Sequence, residues 1–319
     1  MRWIKLAVKL LIVALVFWFV RGTILQGLEK LDEHPLTVRP WWLVLSGVVY
    51  LVGLLPAALF WRRVLRTLGQ EAGLLETLRA YYIGHLGKYV PGKAMVVVLR
   101  TGLIRSHRVD TAVAAASVFF ETLSMMSVGS LLAAGVLVFW YRENTFLCLV
   151  SIGLMGAAGL PIVPPIFRRL VRLAGVGKSD PEIAGKVAAL SWRSLIEGFV
   201  AMTLCWTLLG VSLWASIRAV SPDPFPLVSY FPLYLASVSL AMVAGFLSLI
   251  PGGAAVRELV LAQLLGHHVG DTIAVVSAVL LRLVWLGAEL ILSAILYLVG
   301  RKSENVDHKP SVEVERDNP

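Results

Sequence analysis

Residues 89–102 read YVPGKAMVVVLRTG, and residues 249–262 read LIPGGAAVRELVLA. Each stretch joins two apolar arms through a Pro-Gly step. Proline lacks the backbone donor a helix interior needs and glycine loosens what remains, so each predicts a helix broken in its middle. The two Pro-Gly steps stand 160 positions apart, half of a 319-residue chain. At that offset nine of the 34 positions from 89 to 122 are identical, among them Leu99/Leu259, His107/His267, Val109/Val269 and Ser117/Ser277. Self-similarity at a fixed offset points to a duplicated unit.

Composition sets the solvent. Mean hydropathy is +0.79. Apolar residues make up 58% of the chain and charged residues 15%, against about 45–50% and roughly 25% in soluble proteins. Several apolar runs reach the ~17–25 residues that span hydrocarbon. The ten tryptophans and 27 glycines fit the same class. A net charge of +9 raises nucleic acid as a partner. The lysines and arginines, however, gather at the ends of apolar runs, where retention on the cytoplasmic side and contact with anionic lipid explain them. Cys148 and Cys205 lie inside apolar runs, with no disulfide framework and no metal-ligand spacing.

Taken in order, Arg2, Lys5 and Lys9 precede an apolar run at 6–20. The pattern resembles a secretory signal, but Trp18, Phe19 and Arg21 occupy the place of a cleavage site. An uncleaved first span starting in the cytoplasm is expected. A mixed loop at 22–40 leads to Trp41 and Trp42, which read as interface anchors, and a second span runs to about Trp61. Arg62, Arg63 and Arg66 mark the cytoplasmic side. The first broken segment covers 74–104 and ends at Arg105, His107 and Arg108. Runs at 111–140 and 145–161 cross outward and back around a turn at 141–144. A basic loop follows with Arg168, Arg169, Arg172, Lys178 and Lys186. The run at 192–216 crosses outward, with Arg193 and Glu197 spaced for a helical ion pair. The second broken segment enters at 233 and leaves at 265. The last span covers 272–299, and Arg301-Lys302 place its end inside.

This placement gives an all-α polytopic membrane protein with about six full transmembrane helices and two re-entrant Pro-Gly helical hairpins. Residues 1–300 form one transmembrane domain with repeat units at about 1–142 and 143–300. Residues 301–319 form a polar, disordered cytoplasmic tail. Both termini are cytoplasmic, in the cytoplasmic (inner) membrane. The first unit starts inside and the second outside, so the units form an inverted repeat, as secondary transporters do. The segment at 233–250 is long enough to cross completely, and a full crossing there is the alternative.

Ionisable side chains at membrane depth are costly, and each needs a partner or a function. In the first broken segment the candidates are His85, Lys88, Pro91, Gly92, Lys93 and Arg100. In the second they are Pro251, Gly252, Gly253, Arg257 and Glu258. Glu121 lies in the following span, and Arg282 and Glu289 share one side of the last, with Trp285 between them. Helix starts beyond the Pro-Gly tips offer free backbone N–H groups to an anion. The cations would add charge, while Glu121, Glu258 and Glu289 would hold part of it neutral or bind a coupling proton. Plainer readings stand beside these. Glu258 with Arg282, or Glu121 with a neighbouring arginine, can be a packing pair. Lys88 and Arg100 can snorkel to the surface. Arg79, Arg105 and Arg108 read as interface residues, His107, His267 and His268 as solvated loop residues, and the Pro-Gly steps as ordinary kinks.

Hydrolase, zinc-protease, P-loop and dinucleotide-binding templates do not occur in the sequence. No cofactor or metal is expected, and a transporter is favoured over an enzyme. A membrane enzyme acting on lipid-linked glycans or phospholipid headgroups, or a non-catalytic partner of a biosynthetic enzyme, is the alternative.

At YYIGHLGKYVPGKAMVVVLRTG and LIPGGAAVRELVLAQLLG the chain resembles the transmembrane region of the lysylphosphatidylglycerol synthase family, a group of flippase-like membrane proteins. The family's marks fall at 87–93, at Glu121, at 251–258, and at Arg282 with Glu289. Ala255 stands where the family often has glycine. In two-domain relatives this region is thought to flip aminoacylated phosphatidylglycerol made by a soluble domain. Residues 301–319 are too short for that domain, so the chain resembles a stand-alone relative. The resemblance implies handling of an anionic phospholipid or a polyprenyl-phosphate-linked lipid.

Overall fold

The computed structural model describes residues 37–90, 94–104, 109–140, 145–173, 190–221, 223, 225–248, 250–253 and 255–307. The expected first span, Pro91, Gly92 and Lys93, the positions 105–108, the turn at 141–144, Lys178 and Lys186 in the basic loop, and the tail beyond 307 lie outside the described residues.

Among the described residues ten α-helices follow in order. They are α1 (Pro40–Thr67), α2 (Leu74–His85), α3 (Ala94–Ile104), α4 (Thr111–Trp140) and α5 (Thr145–Gly159). Then come α6 (Pro164–Leu173), α7 (Trp192–Val220), α8 (Leu227–Leu247), α9 (Val256–Val269) and α10 (Asp271–Asp307). Among the described residues five helices are long and apolar enough to cross a membrane: α1, α4, α7, α8 and α10. The chain is an all-α, polytopic membrane protein. Its outward faces are apolar too: Val44, Val48 and Val52 form an exposed stripe along α1 at helical spacing. Such a face suits lipid and not water.

Several boundaries differ from the sequence reading, three of them at the segments that bear on the fold. The segment expected to cross at 145–161 is a 15-residue helix that gives way to a 3₁₀ turn, Leu160–Ile162, where Pro161 cannot continue an α-helix. Helix α8 begins at Leu227, six residues earlier than expected, and carries Pro232 inside it, at the cost of one hydrogen bond to the carbonyl four residues back. Helix α10 runs to Asp307, past the end expected at Val299.

Small residues let the long helices approach closely, as membrane interfaces require. Ser46 on α1 bonds Ser212 and Ser216 on α7, each at 2.9 Å. Gly53 lies where a Cβ would stand 3.0 Å from the Leu208 side chain. A side chain at Gly129 on α4 would collide with the Trp206 indole of α7, whose Nε1 donates to the Met125 carbonyl at 2.9 Å. Trp285 on α10 donates to Ser212 Oγ at 2.9 Å and stacks on Tyr50 of α1 at 4.3 Å.

The bundle has two distinguishable ends. At one, the Arg39 amide donates to the Ala219 carbonyl at 2.8 Å, Trp42 meets Trp214, and Phe225, Tyr230 and His268 form a ring cluster. The start of α1, the end of α7, the start of α8 and the end of α9 therefore lie together. At the other end Arg63 of α1 pairs with Glu197 of α7 at 3.3 Å, and Glu197 also pairs with Arg193 at 3.0 Å. There Arg62 Nε donates to the Ala72 carbonyl at 3.2 Å and the Asp110 amide to Gln70 Oε1 at 2.7 Å, which brings together the segments flanking the α2–α3 pair.

Candidate functional site

The two broken segments meet inside the bundle. Helix α2 gives way to a 3₁₀ turn at Leu86–Tyr89, and α3 resumes at Ala94. Side chains at Gly84 and Gly87 would collide with Arg100 and with the backbone of Val96, so these glycines let the two arms lie in contact. Helix α8 ends at Leu247, and the chain turns through a second 3₁₀ element, Pro251–Gly253, before α9. Gly252 and Gly253 hold φ of 61° and 64°, a region open to glycine at little cost. The Tyr89 ring lies against Gly252, where a Cβ would stand 3.3 Å from it and 3.1 Å from Arg282 Nη2.

Around this junction the ionisable residues form three ion pairs, one fully buried and two with one partner buried and the other half-buried. Arg100 Nη1 donates to Glu121 Oε2 at 2.5 Å, with both residues at 2% exposure or less. The Tyr81 hydroxyl donates to Glu121 Oε1 at 3.0 Å, and the Arg100 guanidinium lies 3.9 Å from the centre of the Tyr81 ring. Lys88 Nζ donates to Glu289 Oε1 at 2.5 Å, the Tyr50 hydroxyl donates to the same oxygen, and His85 Nε2 stands 3.8 Å away. Arg282 Nη1 pairs with Glu258 Oε1. Neither Lys88 nor Arg100 snorkels to the surface; both turn inward to a carboxylate. His267 and His268 are exposed.

Arg257 differs from the other cations. Its stem passes between Gly245 and Gly253, at either of which a Cβ would stand 2.7 Å from its Nε. Among the described residues it forms no ion pair, and its Nε is buried without a hydrogen-bond partner. Glu258 Oε2, Glu289 Oε2, and Arg282 Nε and Nη2 also lack partners.

Arg257 stands between two cavities. The larger, about 210 Å³, is lined at its polar end by His85, Lys88, Arg100, Glu121 and Arg257, and elsewhere by Met125, Met126, Phe246 and other apolar groups. Gly252 and Gly253 border it as well. The smaller, about 30 Å³, adjoins Tyr89, Glu258, Arg282 and Trp285. Of the residues selected from the sequence, those on α2, α3, α4, α9 and α10 thus converge, while Pro91, Gly92 and Lys93 lie outside the described residues. The sequence reading missed Tyr50 and left Tyr81 and Tyr89 out of the site. The signal for Tyr50 was there: a polar ring in mid-span, on the face that carries Ser46, Gly47 and Gly53. Among the described residues no group of three or more His, Cys, Asp or Glu side chains is placed to hold a metal ion.

Fold and site together define a polytopic helical membrane protein in which seven charged side chains are gathered internally around two broken helices. The chain belongs to the family described as the lysylphosphatidylglycerol synthase TM region, whose model matches residues 6–293. The comparison with curated proteins gave no match.

Proposed function

We propose that the protein moves an anionic phospholipid or a polyprenyl-phosphate-linked lipid between the leaflets of the cytoplasmic membrane, with both ends of the chain on the cytoplasmic side. The observation that carries this is a cavity of about 210 Å³ with apolar walls and a cluster of charged side chains, at which Arg257 forms no ion pair among the described residues. An amphiphile matches that division: its phosphate suits the cationic end and its chains suit the methionine- and phenylalanine-lined remainder. Membership in the family supports a role with lipids without naming one.

The broken segments serve as re-entrant hairpins in an inverted repeat. The flanks of α2–α3 lie at the Arg62 end, and those of α8–α9 at the opposite end with Trp214 and Phe225. Each returning arm is short, 11 and 14 residues, and each is tied to the following long helix by an ion pair. In the first unit the arm supplies Arg100 and the long helix Glu121. In the second the arm supplies Glu258 and the long helix Arg282. Access alternates as one unit rocks against the other around the Tyr89–Gly252 contact.

The test is leaflet transfer in proteoliposomes holding headgroup-labelled phosphatidylglycerol, labelled phosphatidylcholine or a labelled polyprenyl phosphate. Protein-dependent movement of an anionic lipid, lost in Arg257→Gln, is expected. Folded protein inserted in both orientations that moves none of the three lipids would sink the transport reading and favour a lipid-modifying enzyme.

A further inference from the structure

Helix α6 carries a surface that the interior site does not use. It reads PPIFRRLVRL over Pro164–Leu173, and neither cavity is lined by any of its residues. Its two opening prolines stand where a helix has no use for backbone donors. At about 100° per residue its side chains fall into three sectors. Phe167 occupies the first, at 2% exposure, with its ring edge-on to Phe120 of α4 at 5.0 Å. Ile166, Leu170 and Leu173 share the second and are 37%, 43% and 73% exposed. Arg168, Arg169 and Arg172 share the third, and Arg169 and Arg172 are exposed. A ten-residue helix pinned to the bundle by one ring thus shows an apolar stripe and a cationic stripe side by side. That division fits the plane where acyl chains meet headgroups.

The level of α6 in the bundle agrees. Arg168 Nη2 donates to the Leu190 carbonyl at 2.7 Å, just before Trp192, which is 63% exposed at the start of α7. Exposed tryptophans gather at the membrane–water boundary. The same turn of α7 holds Arg193 and Glu197, at the end marked by Arg63. Glu197 is shared by those two arginines. Among the described residues no carboxylate pairs with Arg168, Arg169 or Arg172. The acids nearest to them in sequence, Asp180 and Glu182, are matched in number by Lys178 and Lys186. Phosphate suits what remains, because the guanidinium fork matches its oxygens in geometry as well as in charge.

We infer that α6 is a docking element for the anionic lipid of the cytoplasmic leaflet. Ile166, Leu170 and Leu173 lie among the upper acyl chains, and Arg169 and Arg172 rest on lipid phosphates. This site is separate from the cavity between the broken helices and does not depend on what that cavity carries.

The experiment places a fluorescent probe on the full chain, in a background without Cys148 and Cys205, reconstituted in phosphatidylcholine vesicles. Attached at Leu170→Cys, the probe should be quenched by phosphatidylcholine spin-labelled high on its acyl chain and protected from aqueous acrylamide. Attached at Pro165→Cys, among the arginines, it should be reached by acrylamide more readily. Energy transfer from the Leu170 probe to a trace of acyl-labelled phosphatidylglycerol should exceed transfer to acyl-labelled phosphatidylcholine. That preference should fall about fivefold for each of Arg169→Gln and Arg172→Gln. It should return in Arg169→Lys and Arg172→Lys and shrink at high salt. Both arginines are exposed, so these variants should keep the wild-type melting midpoint. Arg257→Gln, and the pair Asp180→Asn with Glu182→Gln, should leave the preference as it is. A Leu170 probe open to acrylamide would lift α6 off the bilayer and leave its face to an acidic protein partner. Equal transfer to the two lipids would take the phosphates away from the arginines. A preference lost in Arg257→Gln would belong to the cavity and overturn the separate site.

Discussion

A Cβ placed on Gly245 would stand 2.7 Å from both Cγ and Nε of Arg257. The absence of a side chain at Gly245 is therefore what lets the Arg257 stem cross from α9 toward the large cavity. Gly245→Ala should displace the guanidinium without removing its charge. The expected outcome is a fall in anionic-lipid transfer of about tenfold or more, with destabilisation of about 1–3 kcal/mol from overpacking. Gly135→Ala is the control, since a Cβ there meets nothing within 4 Å. Transfer at the wild-type rate in Gly245→Ala would show that Arg257 need not occupy its observed position.

The Arg100–Glu121 pair separates a packing role from a transport role. Glu121→Leu leaves a buried guanidinium without its carboxylate, which costs about 3–5 kcal/mol and should appear as a large drop in the melting midpoint. The double variant Arg100→Met, Glu121→Leu removes both charges and should recover most of that stability. Transfer should stay lost in the double variant, because the cavity has then lost a cation and an acid from its polar end. A double variant that transfers lipid at the wild-type rate would place the pair among the packing elements.

Much of this was legible in the sequence because burying charge in an apolar chain demands a reason. Lys88, Arg100, Glu121, Arg257, Glu258, Arg282 and Glu289 were each conspicuous against 58% apolar residues, and all of them converge. The choice of partner was not legible. Arg282 and Glu289 lie seven apart on one helix, yet Arg282 reaches back to α9 and Glu289 to Lys88 after α2. Those pairings depend on how α2, α9 and α10 pack, which periodicity does not state. Tyr50 escaped for a related reason: its hydroxyl matters only because Glu289 stands across the interface. The two boundary errors at prolines run in opposite senses: the apolar run was carried through Pro161, where the helix stops, and was begun only after Pro232, which the helix accommodates.

Ala255 carries the strain of the second break. Its φ is 63° with ψ of −41°, and among the described residues it is the one non-glycine residue at positive φ. A Cβ in such a conformation costs on the order of 1–3 kcal/mol. Ala255→Gly relieves that cost and gives back part of it through the greater freedom of the unfolded chain. The net expectation is a rise of about 1 kcal/mol in stability, read as a higher melting midpoint in detergent. A lower midpoint would mean that the Ala255 methyl group makes a packing contribution larger than its backbone strain.

The inverted arrangement can be tested by labelling from the two sides of the membrane. Glu71 lies just before α2, beside the Ala72 contact with Arg62, and is exposed. His267 lies at the end of α9, next to the His268 that meets Tyr230, and is also exposed. The two positions sit at opposite ends of a bundle whose α1 helix alone is 28 residues, or about 42 Å, long. In a background lacking Cys148 and Cys205, Glu71→Cys should react with a membrane-impermeant thiol reagent only in inside-out vesicles. His267→Cys should react only in right-side-out vesicles or intact cells. The basic cluster Arg62, Arg63 and Arg66 fixes which side is which, since such clusters remain cytoplasmic. Labelling of both positions from one side would mean that α8 and α9 do not enter from the face opposite to α2 and α3, and the inverted repeat would fail with it.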